Sequence, residues 1–264
     1  MRAAEPKTLK LVVAYDGTRF KGWQRGNGRT VQGVLEDCLL AALGTASRGA
    51  VRPGEAGAEE LAVVGAGRTD AGVHAEGQVA SVRVPPSVDR GLLLQAVNAL
   101  LPEDLAVLSC EDAESRFHAR YRALAKTYRY TVVDGVVGDP FRDRYAWRIP
   151  PHLDVRLMRS AAPSLVGERD FSSLTADKSK KDKVRTIHSI EVVRGDRAIE
   201  LRFRGDGFLW NQVRIMAALL VTAGKGETDA AAISRLLAAR DRSLAPPPAP
   251  AKGLCLVSVE YADA

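Results

Sequence analysis

The chain has 264 residues, 46% of them hydrophobic, with 38 Lys and Arg against 32 Asp and Glu and a formal net charge of +6. This composition is typical of a globular protein with one large domain or two small ones, and its basic balance suits a polyanionic partner without requiring one. No apolar run reaches about 18 residues and the first six residues lack a signal-peptide core, so a membrane-spanning or exported protein is not expected.

The three cysteines, Cys38, Cys110 and Cys255, lie far apart in apolar surroundings. An odd number of distant cysteines favours buried thiols in a reducing compartment over disulfides or a zinc cluster. We therefore expect a cytoplasmic protein.

Hydrophobic periodicity and turn signals predict six elements in the first half of the chain. They are a strand over residues 9–15, a helix from the N-cap Thr30 to Gly44, strands over residues 61–66 and 78–84, a helix capped by Asp89 and stopped by Pro102, and a strand over residues 105–110. Residues 44–60, rich in Gly and Ala, are interpreted as a surface insertion.

The second half repeats a similar order. A strand is predicted over residues 126–133, a helix over 154–165, strands over 184–193 and 198–204, helices over 211–223 and 229–239, and a closing strand over 254–261. Two copies of a β-α-β-β-α-β plan predict an α/β protein of two ferredoxin-like (RRM-like) halves, residues 1–115 and 116–264. Residues 245–250, Ala-Pro-Pro-Pro-Ala-Pro, are interpreted as a stiff connector that places the last strand rather than as a ligand for a partner.

The most informative stretch of the sequence is GRTDAGVH at residues 67–74, which places Asp70 beside Arg68 in a glycine-rich turn at the end of a predicted strand. Gly65, Gly67 and Gly72 are expected to supply the positive-φ backbone that a sharp turn and close approach to a ligand require. Loops at strand ends often carry chemistry, so Asp70 is a candidate functional carboxylate.

Other interpretations of Asp70 compete with this one. An Asp in a glycine-rich loop is most often a turn residue that bonds its own backbone. The glycines match neither common phosphate-binding pattern. A metal site at Asp70 and His74 is not favoured, because the other histidines lack ligand spacing. These other histidines are His118, His152 and His188.

Two further residues stand out from their surroundings. Arg214 interrupts the apolar helix predicted over residues 211–223, so it either is buried beside an anion or points to solvent from the first turn. Tyr128 lies in an alternating strand, where core tyrosines are common, but Lys126 and Arg129 flank it. Interleaved basic and aromatic residues also hold single-stranded nucleic acid.

The run at residues 67–74 closely resembles the active-site motif of the TruA-type tRNA pseudouridine synthases. Further segments follow in the order of that family: YDGTRFKGWQ (15–24), TVQ (30–32), FHAR (117–120), KTYRY (126–130), DFSS (170–173), VR (213–214) and KGL (252–254). Together these motifs span roughly residues 10 to 261.

The resemblance implies two ferredoxin-like halves side by side with a catalytic cleft between them. We expect their sheets to form one continuous, largely antiparallel platform with Asp70 in the cleft. It also implies a tRNA pseudouridine synthase that acts on uridines 38, 39 and 40 of the anticodon stem-loop, as a homodimer in which one tRNA bridges both subunits. Because the reaction is an isomerisation, no cofactor or metal is expected.

The resemblance also assigns roles to individual residues. Asp70 is the catalytic carboxylate, acting by covalent attack or by assisting proton abstraction from the sugar. Arg214 pairs with it, Tyr128 packs on the target base, and Arg68 enters the RNA stem near the extruded base. Weaker candidates for RNA backbone contacts are Lys21, Arg25, His118, Arg120 and Lys126, together with a basic docking loop at residues 178–183. The turn at residues 24–26, Gln-Arg-Gly, departs from the usual Gln-Arg-Gln, which leaves its role open.

Two alternatives remain at this level. The fold type and the basic, aromatic strands also suit a non-catalytic RNA-binding protein, although the RNP aromatic signature is missing. A pseudouridine synthase with another RNA target is the second alternative, because the motifs define the chemistry better than the substrate.

Overall fold

The computed structural model describes residues 5–46, 61–135, 137–150, 152–177 and 181–262. Contacts divide the chain into two compact units, one of residues up to Ala123 with Tyr261 and Ala262, the other of residues 124–260. Most of the predicted insertion (residues 47–60) and the start of the predicted docking loop (residues 178–180) lie outside the described residues.

The first unit is built around a central strand with a neighbour on each side. Its elements are β1 (Lys7–Tyr15), α1 (Val31–Ala46), β2 (Val64–Gly65), β3 (His74–Val84), α2 (Arg90–Leu100) and β4 (Leu105–Ala113). β1 pairs antiparallel with β3 and with β4, and β2 pairs antiparallel with β3. The strand order is therefore β4-β1-β3-β2.

The core of the first unit follows from the alternation of β1. Leu9, Leu11, Val13 and Tyr15 point to one side and are 5% exposed or less, as the period of two in the sequence predicts. Thr30 precedes α1 and its hydroxyl accepts a hydrogen bond from the Gly33 N–H at 3.3 Å.

The second unit has the same underlying order with additions. Its elements are β5 (Ala125–Asp134), β6 (Trp147–Ile149), α3 (Val155–Ala161), β7 (Gly167–Asp170), β8 (Val184–Arg194), β9 (Ile199–Gly205), α4 (Gln212–Gly224), α5 (Ala230–Ala239) and β10 (Leu254–Glu260). β5 lies between β10 and β9, β8 pairs with β9, and β7 pairs with β8, all antiparallel. The short β6 pairs parallel with β5.

The mixed α/β class with largely antiparallel pairing is confirmed. The strand order is β4-β1-β3-β2 in the first unit, and the corresponding order in the second unit is β10-β5-β9-β8. The ferredoxin-like assignment of the two halves and their single continuous platform remain predictions. The predicted boundary after residue 115 differs from the observed division after Ala123. Residues beyond 115 bond within the first unit, since Ala119 N–H donates to Ser81 Oγ and Tyr261 Oη donates to the Ala119 carbonyl.

Several predicted elements differ in extent from the observed ones. The helix predicted to end at Gly44 continues to Ala46. The helix predicted over residues 154–165 ends at Ala161 and is followed by a 3₁₀ turn over Ala162–Leu165, because Pro163 has no N–H to continue the α-helical bonds. β6 and β7 were not predicted, since strands of three and four residues carry little periodicity.

The cysteines are free thiols, as expected, but only Cys255 is buried, and Cys38 and Cys110 are half-buried. Burial raises the pKa of the Cys110 thiol to about 11, which keeps it protonated and unreactive at neutral pH. In the part of the chain that the structure describes, no helix has the length and apolar character needed to cross a membrane.

Candidate active site

Asp70 lies in a tight turn between β2 and β3 of the first unit. The turn is closed by a hydrogen bond from Val73 N–H to the Asp70 carbonyl at 3.1 Å, and Gly72 has a φ of +79°. At the start of the turn, Gln78 Nε2 donates to the Gly67 carbonyl at 2.8 Å. The side chain of Asp70 is half-buried. These hydrogen bonds fix the loop that carries its carboxylate.

Thr69 ties this turn to the segment that follows β1. Tyr15 Oη and Thr69 Oγ1 lie 2.8 Å apart in a buried hydrogen bond. Trp23 N–H donates to the Thr69 carbonyl at 3.0 Å, and Gly72 N–H donates to the Phe20 carbonyl at 3.3 Å. The motif at residues 15–24 therefore supports the Asp70 turn through these hydrogen bonds.

Two glycines of that motif allow the two loops to touch. Gly22 has a φ of +94°, and a Cβ there would lie 2.7 Å from the Thr69 carbonyl oxygen. A Cβ at Gly17 would collide with the Val73 carbonyl. Side chains at either position would push the Asp70 turn away from its support.

His74 fixes the other end of the turn. Its ring is buried, and Nδ1 accepts a hydrogen bond from the Gly17 N–H at 3.0 Å. Asp16 Oδ1 is 3.1 Å from the same nitrogen. Among the described residues, no group of three His, Cys, Asp or Glu is arranged to hold a metal ion.

The prediction of positive φ at three glycines was right only for Gly72. Gly65 serves a different purpose, because the Trp23 ring packs directly on it and a Cβ would lie 2.5 Å from Trp23 Cε2. Gly67 offers its carbonyl to Gln78 without a positive φ. Close approach of an aromatic ring, rather than backbone handedness, explains Gly65.

The strand predicted over residues 61–66 is observed only at Val64–Gly65, because side chains of α1 bind the backbone before it. Glu36 Oε1 accepts from Val63 N–H at 3.0 Å, and Gln32 Nε2 donates to the Val63 carbonyl at 3.1 Å. Arg25 Nε lies 2.7 Å from Glu36 Oε2 and compensates this largely buried carboxylate. Arg25 thus supports the approach to the Asp70 turn.

Arg214 lies in the first turn of α4 in the second unit and is half-buried. Its Nε donates to the Ala249 carbonyl at 2.7 Å and its Nη1 donates to Asn211 Oδ1 at 2.9 Å. These bonds hold the side chain against the protein, which argues against the solvent-pointing alternative. The expected pairing with Asp70 remains a prediction.

Tyr128 lies in β5 between Phe203 of β9 and Leu256 of β10. Its ring is 7% exposed and meets the Phe208 ring edge-on at 5.2 Å. Lys126 is half-buried and occupies the same face of the strand by alternation. Tyr128 is therefore well packed, and its contact with a base remains a prediction.

The other predicted RNA-contacting residues differ in how they are held. Arg68, Lys21 and Arg120 are exposed. The half-buried His118 accepts hydrogen bonds at Nδ1 from the N–H groups of Arg120 and Tyr121, at 3.2 and 3.3 Å, which shapes its own turn.

Sequence reasoning missed the supporting roles of Tyr15, Gly17, Gly22 and Thr69, although all four lie in motifs that it identified. It treated His74 only as a possible metal ligand. The contacts of these residues join positions about fifty apart in sequence, so periodicity could not reveal them. The only feature of the sequence that pointed to these contacts was the presence of two glycine-containing motifs, at residues 15–24 and 67–74.

This chain is similar to known proteins over nearly its full length. A family model described as tRNA pseudouridine synthase matches residues 161–262. The tRNA pseudouridine synthase A of Limosilactobacillus reuteri (strain DSM 20016) is 41% identical over 256 residues, covering 96% of each chain. That of Geobacillus kaustophilus is 42% identical over 259 residues, covering 97% of this chain and 95% of the relative. A solved Cbf5-Nop10-Gar1 complex aligns over 81% of this chain and 44% of the other, at 14% identity and a TM-score of 0.31.

Proposed function

The chain belongs to the tRNA pseudouridine synthase family and is an isomerase that acts on tRNA, and we propose that it converts uridines 38, 39 and 40 of the anticodon stem-loop to pseudouridine with Asp70 as the catalytic carboxylate. The observation that carries this assignment is the construction of the Asp70 turn. Bonds to Thr69, Gly72 and His74 hold the turn on both sides, and this preorganisation is what a reacting carboxylate requires.

The proposed reaction rearranges bonds without a net gain or loss of atoms. The C1′–N1 bond of the uridine breaks, the base turns, and a C1′–C5 bond forms, while C5 loses a proton and N1 gains one. Asp70 would either attack the nucleotide covalently or remove a proton from the sugar. Either route needs an ionised carboxylate oxygen.

The remaining predicted residues would hold the extruded nucleotide. Removing a base from the stack costs a few kcal/mol, which neighbouring protein groups offset. We propose that Arg68, exposed in the Asp70 turn, replaces the lost stacking partner, that Tyr128 lies beside the uracil, and that Arg214 is the cation of the uridine site.

Backbone contacts to tRNA are proposed for Lys21, His118, Arg120 and Lys126. Arg25 is a weaker candidate for such a contact, since Glu36 and Asp37 already bind its guanidinium. We further propose that the protein is cytoplasmic and that it forms a homodimer. A measurement of molar mass in solution would test the dimer.

The substrate assignment is tested by mapping pseudouridine in tRNA transcripts after incubation with the purified protein. Conversion at positions 38, 39 and 40 is expected, with none in transcripts that carry cytidine at all three. Conversion confined to other positions would retain the chemistry and contradict the proposed target.

Removing metal ions is expected to leave turnover unchanged, because an isomerisation by a carboxylate involves no redox step and no activated phosphate. The test is tritium release from uridine-labelled tRNA in excess EDTA, with tRNA folding monitored by its melting curve. A loss of turnover that zinc or magnesium restores while the tRNA stays folded would contradict the prediction.

A further inference from the structure

The Pro-rich segment at residues 245–250 is bonded to Arg214. The Ala249 carbonyl accepts from Arg214 Nε at 2.7 Å, and the Ala249 N–H donates to the Arg214 carbonyl at 3.2 Å. Ala249 is 2% exposed. The segment therefore binds both the backbone and the side chain of the same arginine.

Tyr130 holds the Pro-rich segment in place through its hydroxyl group. Its ring is completely buried, and its hydroxyl donates to the Pro250 carbonyl at 2.8 Å. The Trp147 ring packs edge-on against it with centroids 6.3 Å apart. Burial raises the pKa of the Tyr130 phenol, so the hydroxyl remains a donor at all working pH values.

Gly253 explains how Tyr130 reaches the segment. A Cβ at Gly253 would lie 2.7 Å from Tyr130 Cζ and 2.9 Å from its hydroxyl oxygen. The absent side chain leaves room for the phenol beneath the chain. Thus the glycine of the KGL motif and the second tyrosine of the KTYRY motif belong to one packing unit.

Asn211 holds the guanidinium from the other side. It lies just before α4 with a φ of +64°, a left-handed conformation that Asn tolerates better than most residues. Its Oδ1 accepts from Arg214 Nη1 at 2.9 Å. Two nitrogens of the planar guanidinium are therefore held, Nη1 by a residue three positions earlier and Nε by one 35 positions later.

We propose that residues 245–250 form a strap that orients the Arg214 guanidinium in the uridine site, and that Tyr130 is a positioning residue that acts through Pro250. The proposal rests on the proposed function of Arg214. An arginine presents a rigid, planar set of donors, so its effect depends on orientation as well as charge. Proline restricts φ and makes a short strap stiff, which suits this role.

Replacing Tyr130 by Phe removes only the hydroxyl bond to the strap. We expect kcat for tritium release to fall about tenfold with KM within about twofold, since misorientation of a reacting group affects turnover more than binding. The matched control is Ser164→Ala, which removes a buried hydroxyl bond of 2.7 Å to the Ala161 carbonyl in the same unit. The control is expected to keep wild-type kcat.

A double-mutant cycle separates positioning from a general loss of stability. In an Arg214→Lys background the bond from Nε to the strap is absent, so Tyr130→Phe should change kcat less than about twofold. If Arg214→Lys itself retains wild-type kcat, the proposed function of Arg214 fails. If Arg214→Lys loses turnover but Tyr130→Phe leaves kcat unchanged, or lowers it equally in both backgrounds, the strap proposal is overturned.

A second variant serves if Tyr130→Phe does not fold. Pro247 is exposed within the strap, and Pro247→Gly loosens the backbone while leaving Tyr130 and Arg214 intact. A reduced kcat with unchanged KM would support the strap. Wild-type kcat in this variant would contradict it.

Discussion

Gly22 shows at the scale of one residue how the position of the Asp70 turn depends on a missing atom. Its backbone has a φ of +94° and lies against the Thr69 carbonyl, which accepts the Trp23 N–H. A methyl group at this position would strain the backbone of residue 22 and would also displace the Thr69 carbonyl. Both effects act one residue away from Asp70.

Gly22→Ala is therefore expected to lower the free energy of unfolding by about 1–3 kcal/mol and to reduce turnover strongly. Gly44→Ala is the matched control, since a Cβ at Gly44 meets nothing within 4 Å and Ala favours a helix by about 0.5–1 kcal/mol. Chemical denaturation and tritium release measure both effects. Equal stability and activity of the two variants would show that the contact with Thr69 is unimportant.

At this scale the sequence indicated Asp70 by its place in a glycine-rich turn at a strand end and by the resemblance of residues 67–74 to a family motif. It indicated Arg214 because a charged residue is out of place in an apolar helix. It could not assign Tyr15 or His74, because an aromatic residue at a strand end and a histidine after a turn fit many environments. Their roles depend on hydrogen bonds to Thr69 and Gly17 across distant segments. The sequence contains no period that predicts such bonds.

At the scale of elements, Asp134 at the end of β5 connects this strand to β8 and to the segment before α3. Arg194 at the end of β8 donates to both of its carboxylate oxygens, at 2.9 and 2.8 Å, and Leu153 N–H before α3 donates at 2.9 Å. Burial alone would raise the pKa of Asp134, but these hydrogen bonds and the charge of Arg194 lower it to about 2.

Because the folded pKa lies below the unfolded value, this contribution to stability is present above about pH 4 and is lost as pH falls towards 2. The unfolding free energies of wild type and Asp134→Asn should differ most above pH 4, and the difference should shrink by about 2 kcal/mol by pH 2. Denaturant titrations at several pH values test this. A pH-independent difference would contradict it, and Arg194→Met should weaken the same pH dependence.

Helix starts could be predicted from the sequence because a cap acts locally. Asp89, which was predicted as an N-cap, accepts hydrogen bonds from the first turn of its helix. Asp154 and Asp229, which were predicted as the first residues of their helices, are N-caps that accept such bonds too. The strand over residues 61–66 could not be predicted correctly. Its first half is bound by Glu36 and Gln32 of α1, and such long-range bonds override local strand preference.

At the scale of the whole molecule, the net charge of +6 leads us to expect largely electrostatic docking of tRNA. If about five phosphates are contacted, log K plotted against log salt should have a slope of roughly −4. The test is a titration of tRNA binding across salt concentrations. A flat response would exclude docking by phosphate contacts.

The overall order of elements could be predicted because it repeats in both halves of the chain. The pairing of β1 with β3 and β4, and of β5 with β9 and β10, follows the arrangement that this order favours. The division of the chain could not be read from composition, because Tyr261 returns to the first unit through its bond to Ala119.

We propose that an ionised oxygen of Asp70 performs the chemistry. Asp70→Asn keeps the shape of the side chain and removes that oxygen's negative charge. The measurement is tritium release from tRNA labelled at uridine C5, the position that loses its hydrogen when the new carbon–carbon bond forms. Wild type should release tritium, while Asp70→Asn should fold, bind tRNA and release none. No release by wild type would indicate a non-catalytic RNA-binding protein, and wild-type release by Asp70→Asn would place the catalytic group elsewhere.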